Sequence, residues 1–256
     1  MKQISKVAIV AMAISSFFIA CNNEEDTTEP TTNESTSTTT TETATQSQEM
    51  DAAKVAPGLY TVAKDSMGIR VLNVLYKPGD SSAMHSHPDN ALYVIDGGKG
   101  EFTGKDGSKQ VVDLKTGMTM IRGSEAHSVK NIGNTTLKAI LVEVTRPNQA
   151  GTADAALDAT KVASKFYKTV QDSLNIRIVM VDYKPGTSSV LHSHTDLAMY
   201  ALETSKAEFT AKDGTKQVMT LDKGTSAIIP ADTHSVKNVG NTNAKVVLIE
   251  VNRPKQ

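Results

Sequence analysis

Cysteine is almost absent from this chain of 256 residues. Cys21 is the only one, so no intrachain disulfide forms and no cysteine-based zinc site can be built. Tryptophan is missing and aromatics make up only 4% of the residues, which removes the stacking platforms that single-stranded nucleic acids require. The net charge of −1 leaves no polybasic face, so nucleic acid is excluded as a partner. Long apolar runs are also lacking. The longest, Val7 to Ile19, is shorter than the roughly 20 residues needed to span a bilayer. There is no nucleophile elbow and no glycine-rich phosphate loop.

What is present begins with an export signal over residues 1–20: Lys2 and Lys6 precede the apolar run, as in secretory signal peptides. The run ends in Phe18-Ile19-Ala20-Cys21, which resembles a bacterial lipoprotein box, although its Phe and Ile stand where such boxes usually have Leu and a small residue. The resemblance implies lipidation of Cys21 and anchoring of the chain to a membrane of the cell envelope, the outer membrane being expected. Residues 21–50 then form a tether of Thr, Ser, Asn, Gln and Glu. It carries seven acidic residues and no Lys or Arg, too little apolar surface to offset the entropy of ordering, so it should be disordered. Its start, Asn22-Asn23-Glu24-Glu25-Asp26, resembles the acidic surface-export signal of some Bacteroidota lipoproteins; plain solubility explains the same residues equally well.

The rest of the chain is an internal duplication with a constant offset of 107 residues. Tyr76-Lys-Pro-Gly79 returns as Tyr183-Lys-Pro-Gly186, His85-Ser-His87 as His192-Ser-His194, and His127-Ser-Val-Lys-Asn131 as His234-Ser-Val-Lys-Asn238. Two domains are expected, residues 51–149 and 158–256, with a linker over 150–157. Each reads as all-β. Short β-branched runs such as Val71 to Tyr76 stop at Lys-Pro-Gly, and Asp106-Gly107 and Asp213-Gly214 sit between apolar stretches as hairpin turns. Several short strands with regular turns imply an antiparallel jelly roll or small barrel. The stretches 53–62 and 160–169 fit a short helix or an extended edge alike.

All six histidines belong to the repeated pattern: His85, His87 and His127, then His192, His194 and His234. Residues two apart on a strand share a face, so each His-x-His pair points one way, and a third imidazole from a facing strand can join it. Three neutral imidazoles with open positions suit a divalent Zn, Fe, Mn, Ni or Cu ion.

Gly79-x5-His85-x-His87 with Tyr93 to Gly97, followed by Gly117-x9-His127-x3-Asn131, resembles the two motifs of the cupin superfamily. Gly186-x5-His192-x-His194 and Gly224-x5-Pro230-x3-His234-x3-Asn238 repeat them. The resemblance implies tandem double-stranded β-helix barrels, a bicupin whose halves pack as an intrachain pseudo-dimer, with a small-molecule ligand or substrate as its partner. It implies either metal-dependent chemistry of the dioxygenase or isomerase kind, or non-catalytic binding of a metal or metabolite. The glutamate that usually follows the second histidine is replaced: Asn90, Ala91 and Leu92, and Leu197, Ala198 and Met199, occupy its places. Asp89 and Asp196 remain as extra ligand candidates. Arg70 and Arg177 read as surface residues in preference to substrate holders, Tyr93 and Tyr200 as packing, Glu143 and Glu250 as solvent-facing, and Met84 and Leu191 as core on the face opposite the histidines.

Overall fold

The computed structural model describes residues 50–146 and 153–251; the signal, Cys21 and the tether lie outside them, apart from Met50 at the tether's end. Each half opens with a one-turn helix and continues in strands only. In the first half α1 (Ala52–Val55) is followed by β1 (Tyr60–Ser66), β2 (Ile69–Tyr76), β3 (His85–His87), β4 (Asn90–Asp96), β5 (Gly98–Gly104), β6 (Lys109–Leu114), β7 (Thr119–Arg122), β8 (Glu125–Asn131) and β9 (Leu137–Val144). The second half adds a 3-10 turn (Ala155–Leu157) and α2 (Ala159–Val162). Its strands are β10 (Tyr167–Ser173), β11 (Ile176–Tyr183), β12 (His192–His194), β13 (Leu197–Ala201), β14 (Ser205–Ala211), β15 (Lys216–Leu221), β16 (Ser226–Ile229), β17 (Asp232–Asn238) and β18 (Ala244–Val251). The ambiguous stretches resolve both ways: a short helix first, then an edge strand.

Each half is a sandwich of two antiparallel sheets, ordered β1-β2-β9-β4-β7 and β3-β8-β5-β6 in the first and identically in the second. The Asp-Gly turns join β5 to β6 and β14 to β15, with Gly107 and Gly214 at φ 77° and 85°, a region that costs a side-chain-bearing residue energy. Asn131 clasps the loop after β8: its Nδ2 donates to the carbonyls of Tyr76 (2.9 Å) and Thr135 (2.8 Å), and its Oδ1 accepts from Gly133 N. Asn238 repeats all three bonds.

One apolar cluster fills each barrel, with Leu72, Val74 and Leu141 in the first and Val179, Val181 and Leu248 in the second. A third cluster joins the halves. Ile69, Val71, Ile140 and Val142 pack with Ile176, Ile178, Val247 and Ile249, so the outer faces of the two five-stranded sheets are buried against each other. Strands with both faces covered read as near-continuous apolar runs, which is the pattern of β9 and β18 apart from one Lys and one Glu in each. Tyr93 and Tyr200 belong to this shared layer and are 8% exposed, whereas Met84 and Leu191 are half-buried. Among the described residues no helix is long and apolar enough to cross a membrane.

Candidate metal centre

The three histidines of each half converge, because His85 on β3 lies directly opposite His127 on β8, and His192 on β12 opposite His234 on β17. Cross-strand partners hold their Cβ atoms about 5 Å apart, and the pleat returns His87 and His194 to the same face. In each group one ring nitrogen per residue lies within 4.8 Å of the others. Five of the six residues are buried and His234 is half-buried.

The ring nitrogens divide consistently between structure and site. His85 Nδ1 donates to Ala83 O and His192 Nδ1 to Val190 O, both at 2.8 Å. His87 Nδ1 lies 2.7 Å from Glu143 Oε1, and His194 Nδ1 2.7 Å from Glu250 Oε1. His127 Nδ1 faces Glu125 at 3.6 Å and His234 Nδ1 faces Asp232 at 3.0 Å. Hydrogen-bond acceptors at five of the six Nδ1 atoms, all but that of His127, favour the tautomer that leaves Nε2 with its lone pair, the arrangement common to metal-ligating histidines. Burial lowers His85 to about 4 and His192 to about 3, so both are neutral near pH 7, as a ligand must be.

The donor set fits a metal ion on one further observation. His192 Nε2 is buried and has no hydrogen-bond partner. A buried unpartnered imidazole nitrogen costs about 1–3 kcal/mol, which a coordinated cation would remove. In the first barrel Tyr60 OH stands 3.0 Å from His85 Nε2 and 2.9 Å from Tyr76 OH. Burial keeps the Tyr60 phenol protonated well past its usual range, so it can donate to the imidazole.

Two expectations fail here. Glu143 and Glu250 do not face solvent; both are 0% exposed. Arg70 and Arg177 are not free surface residues. Arg70 Nε donates to Glu143 Oε2 at 2.6 Å, and its Nη2 meets Asp51 Oδ2 at 2.6 Å. Asp51 in turn caps α1 through Ala53 N and Lys54 N. The second half repeats the chain: Arg177 Nε to Glu250 Oε2 at 2.6 Å, Arg177 Nη1 to Asp158 Oδ2 at 2.8 Å, and Asp158 to Thr160 N at the start of α2. A carboxylate in a strand covered on both faces can only be kept with such partners. The sequence signal was there: a lone acid in each apolar strand, Val142-Glu143-Val144 and Ile249-Glu250-Val251, and an Arg on the neighbouring strand in direct register.

Asp89 and Asp196 stay out of the imidazole groups. Asp89 Oδ1 accepts from Ser124 N, and Asp196 Oδ1 from Ala231 N, so each secures the loop that leads into the third-histidine strand. Asp196 also pairs with Arg146 of the other half at 2.8 Å.

Beside each histidine group lies a cavity, about 60 Å³ in the first barrel and about 90 Å³ in the second. Both are floored by apolar side chains. They differ on one wall, where Asn90, Arg122 and Glu125 of the first barrel correspond to Leu197, Ile229 and Asp232 of the second.

Residues 72–143 match the family description "Cupin domain". No curated protein matches the sequence. Among solved structures, a Bacillus subtilis oxalate decarboxylase studied for its Mn(II) centres is similar at 15% identity and TM-score 0.52, over 75% of this chain and 71% of that one. A deletion mutant of the same enzyme aligns at 14% identity and TM-score 0.54, over 77% and 73%. At such identities the likeness is one of fold. Residues 72–143 thus match the cupin-domain description, and both halves of the chain have the antiparallel β-barrel fold of those structures, arranged in tandem.

Proposed function

We propose that this chain is a lipid-anchored bicupin of the cell envelope whose two three-histidine groups each bind a divalent transition metal and present it to a small molecule. The observation that carries the reading is the division of the ring nitrogens. Five of the six Nδ1 atoms meet a hydrogen-bond acceptor, and one ring nitrogen from each histidine gathers within 4.8 Å of its group partners. Anchoring rests on the sequence of residues 1–21, with Cys21 as the lipidated residue.

His85, His87 and His127 would hold the ion in the first barrel, and His192, His194 and His234 in the second. A metal held by three imidazoles supplies Lewis acidity and open positions for a substrate oxygen. The protein's own groups then do the rest. Glu143 and Glu250 orient their imidazoles and raise their basicity, the apolar cavity floor excludes water, and Tyr60 can keep a proton beside His85. In the first barrel Arg122, Glu125 and Asn90 add polar contacts suited to turnover of a small molecule. The second barrel, with Leu197 and Ile229 on that wall, favours metal binding without chemistry.

The test is metal content. After reconstitution with Zn, Mn, Fe, Ni or Cu and dialysis against a weak chelator, the chain is expected to retain two ions. A chain that retains none from any of these solutions refutes the reading for both halves.

A further inference from the structure

The repeats keep the histidines, the Arg–Glu pairs and the asparagine clasps in duplicate, yet they diverge on one cavity wall. Position 122 on β7 is Arg, whereas its counterpart on β16 is Ile229; Asn90 opposite it becomes Leu197. The Arg122 side chain is 29% exposed at the cavity wall it shares with Glu125 and Asn90, so its guanidinium is open to a partner that enters from solvent. Arg70 and Arg177 show what full use looks like, with Nε and an Nη each on a carboxylate at 2.6 to 2.8 Å. Arg122 is different. Its Nη1 alone reaches Glu125, at 3.2 Å from both oxygens, longer than the 2.7–2.9 Å usual for such charge-assisted bonds. Its Nη2 is left on the thioether of Met120 at 3.6 Å, a weak acceptor for a cation. The ring of Phe102, 5.5 Å below the guanidinium carbon, holds the group over the cavity that His87 and His127 also line.

We propose that Arg122 is an anion subsite that makes the first barrel, and not the second, select a small carboxylate. One carboxylate oxygen replaces the Met120 contact at the guanidinium, while the rest of the ligand faces the imidazoles. A cavity of about 60 Å³ limits that ligand to a few heavy atoms. The assignment deepens the metal reading and rests on it for the orientation of the ligand, but not for the anion contact. The planar fork of Arg favours a planar carboxylate over a tetrahedral phosphate.

The experiment is calorimetric titration of the full chain, zinc-loaded and metal-free, with acetate and malonate, and with inorganic phosphate as the competing oxyanion. Metal content is read on the same samples by mass spectrometry. One carboxylate per chain is expected, bound at least tenfold more weakly by Arg122→Ile, with Arg122→Lys intermediate and zinc content unchanged in both. If Arg122→Ile unfolds, Arg122→Lys and Glu125→Gln carry the test, the latter expected to tighten binding by freeing Nη1. Two equivalent carboxylates per chain, equal binding by the Arg122 variants, or preference for phosphate overturns the subsite. Zinc-loaded chain that ignores carboxylates overturns the subsite alone. Chain that takes none of Zn, Mn, Fe, Ni or Cu refutes the metal reading, and its metal-free titration still decides on Arg122.

Discussion

Replacing Glu143 by Gln tests whether the buried Arg–Glu–His chain governs the first histidine group. The carboxylate has no solvent exposure and receives Arg70 on one oxygen and His87 on the other. Gln keeps the volume but offers one acceptor oxygen and one NH2, so it can satisfy Arg70 or His87 and must turn a donor on the other. Breaking a buried charge pair costs about 3–5 kcal/mol. Arg70 retains Asp51 and is 14% exposed, so the lower end applies, about 3 kcal/mol. For a folded region of this size each kcal/mol lowers Tm by about 2–4 °C, so the loss should be roughly 6–12 °C in the metal-free protein. His87 left without its acceptor can adopt the other tautomer, and affinity for the first zinc should fall about 10–100-fold. Glu250→Gln should do the same to the second site and spare the first. Thermal unfolding and competitive zinc titration measure the two effects. An unchanged Tm together with unchanged affinity would refute the reasoning, because a carboxylate that carries neither charge pairing nor imidazole orientation has no reason to be buried there.

Other consequences follow from the same geometry. His85→Ala with His87→Ala should leave one ion per chain, and His192→Ala with His194→Ala should likewise remove one, read by mass spectrometry after dialysis; retention of two ions in either variant would place the metal elsewhere. Because His85 sits at about 4 and His192 at about 3, against about 6.5 in an unfolded chain, the unfolded state binds more protons below pH 6.5. The metal-free protein should therefore lose stability as pH falls from about 6.5 towards 4, by roughly 1.4 kcal/mol per unit for each histidine, and denaturant midpoints that stay level over this range would contradict the burial argument. Cys21→Ala should move the protein from the membrane fraction to the soluble fraction with an unchanged unfolding midpoint, since among the described residues the first buried core side chain is Ala52; variant protein remaining in membranes would refute lipid anchoring.

The duplication made the fold and the histidine groups legible. A constant offset fixes the same strand order twice, and a His-x-His strand facing a third histidine has few other arrangements available. The supporting partners were harder to read. Glu143 and Glu250 were expected at the surface because acids in strands usually face water. That rule assumes a sheet with one wet side, and β9 and β18 have none, since the halves bury their outer faces against each other. Whether a sheet has a second covered face depends on how two domains pack, which periodicity within one strand does not encode. The unbroken apolar run around each Glu was the available sign, and it changes the inference: a lone acid in such a run requires a cation, and Arg70 and Arg177 stand in register to provide it. The aspartates after the second histidines erred the other way. Their position two residues beyond His87 and His194 suggested ligands, but Pro88 and Thr195 intervene where the strand ends, and the carboxylates turn to the loop amides of Ser124 and Ala231. Tyr60 was missed because it lies 25 residues before His85, on an edge strand preceded by a helix of one turn. Only the folded sheet brings its hydroxyl to the imidazole. The His-x-His pair of each group is thus written in local spacing, whereas the third histidine and the residues that hold the group in place come together through long-range register. Substitutions at Glu143, Arg70 or Asp51 should consequently weaken metal binding without touching any residue of the histidine motifs.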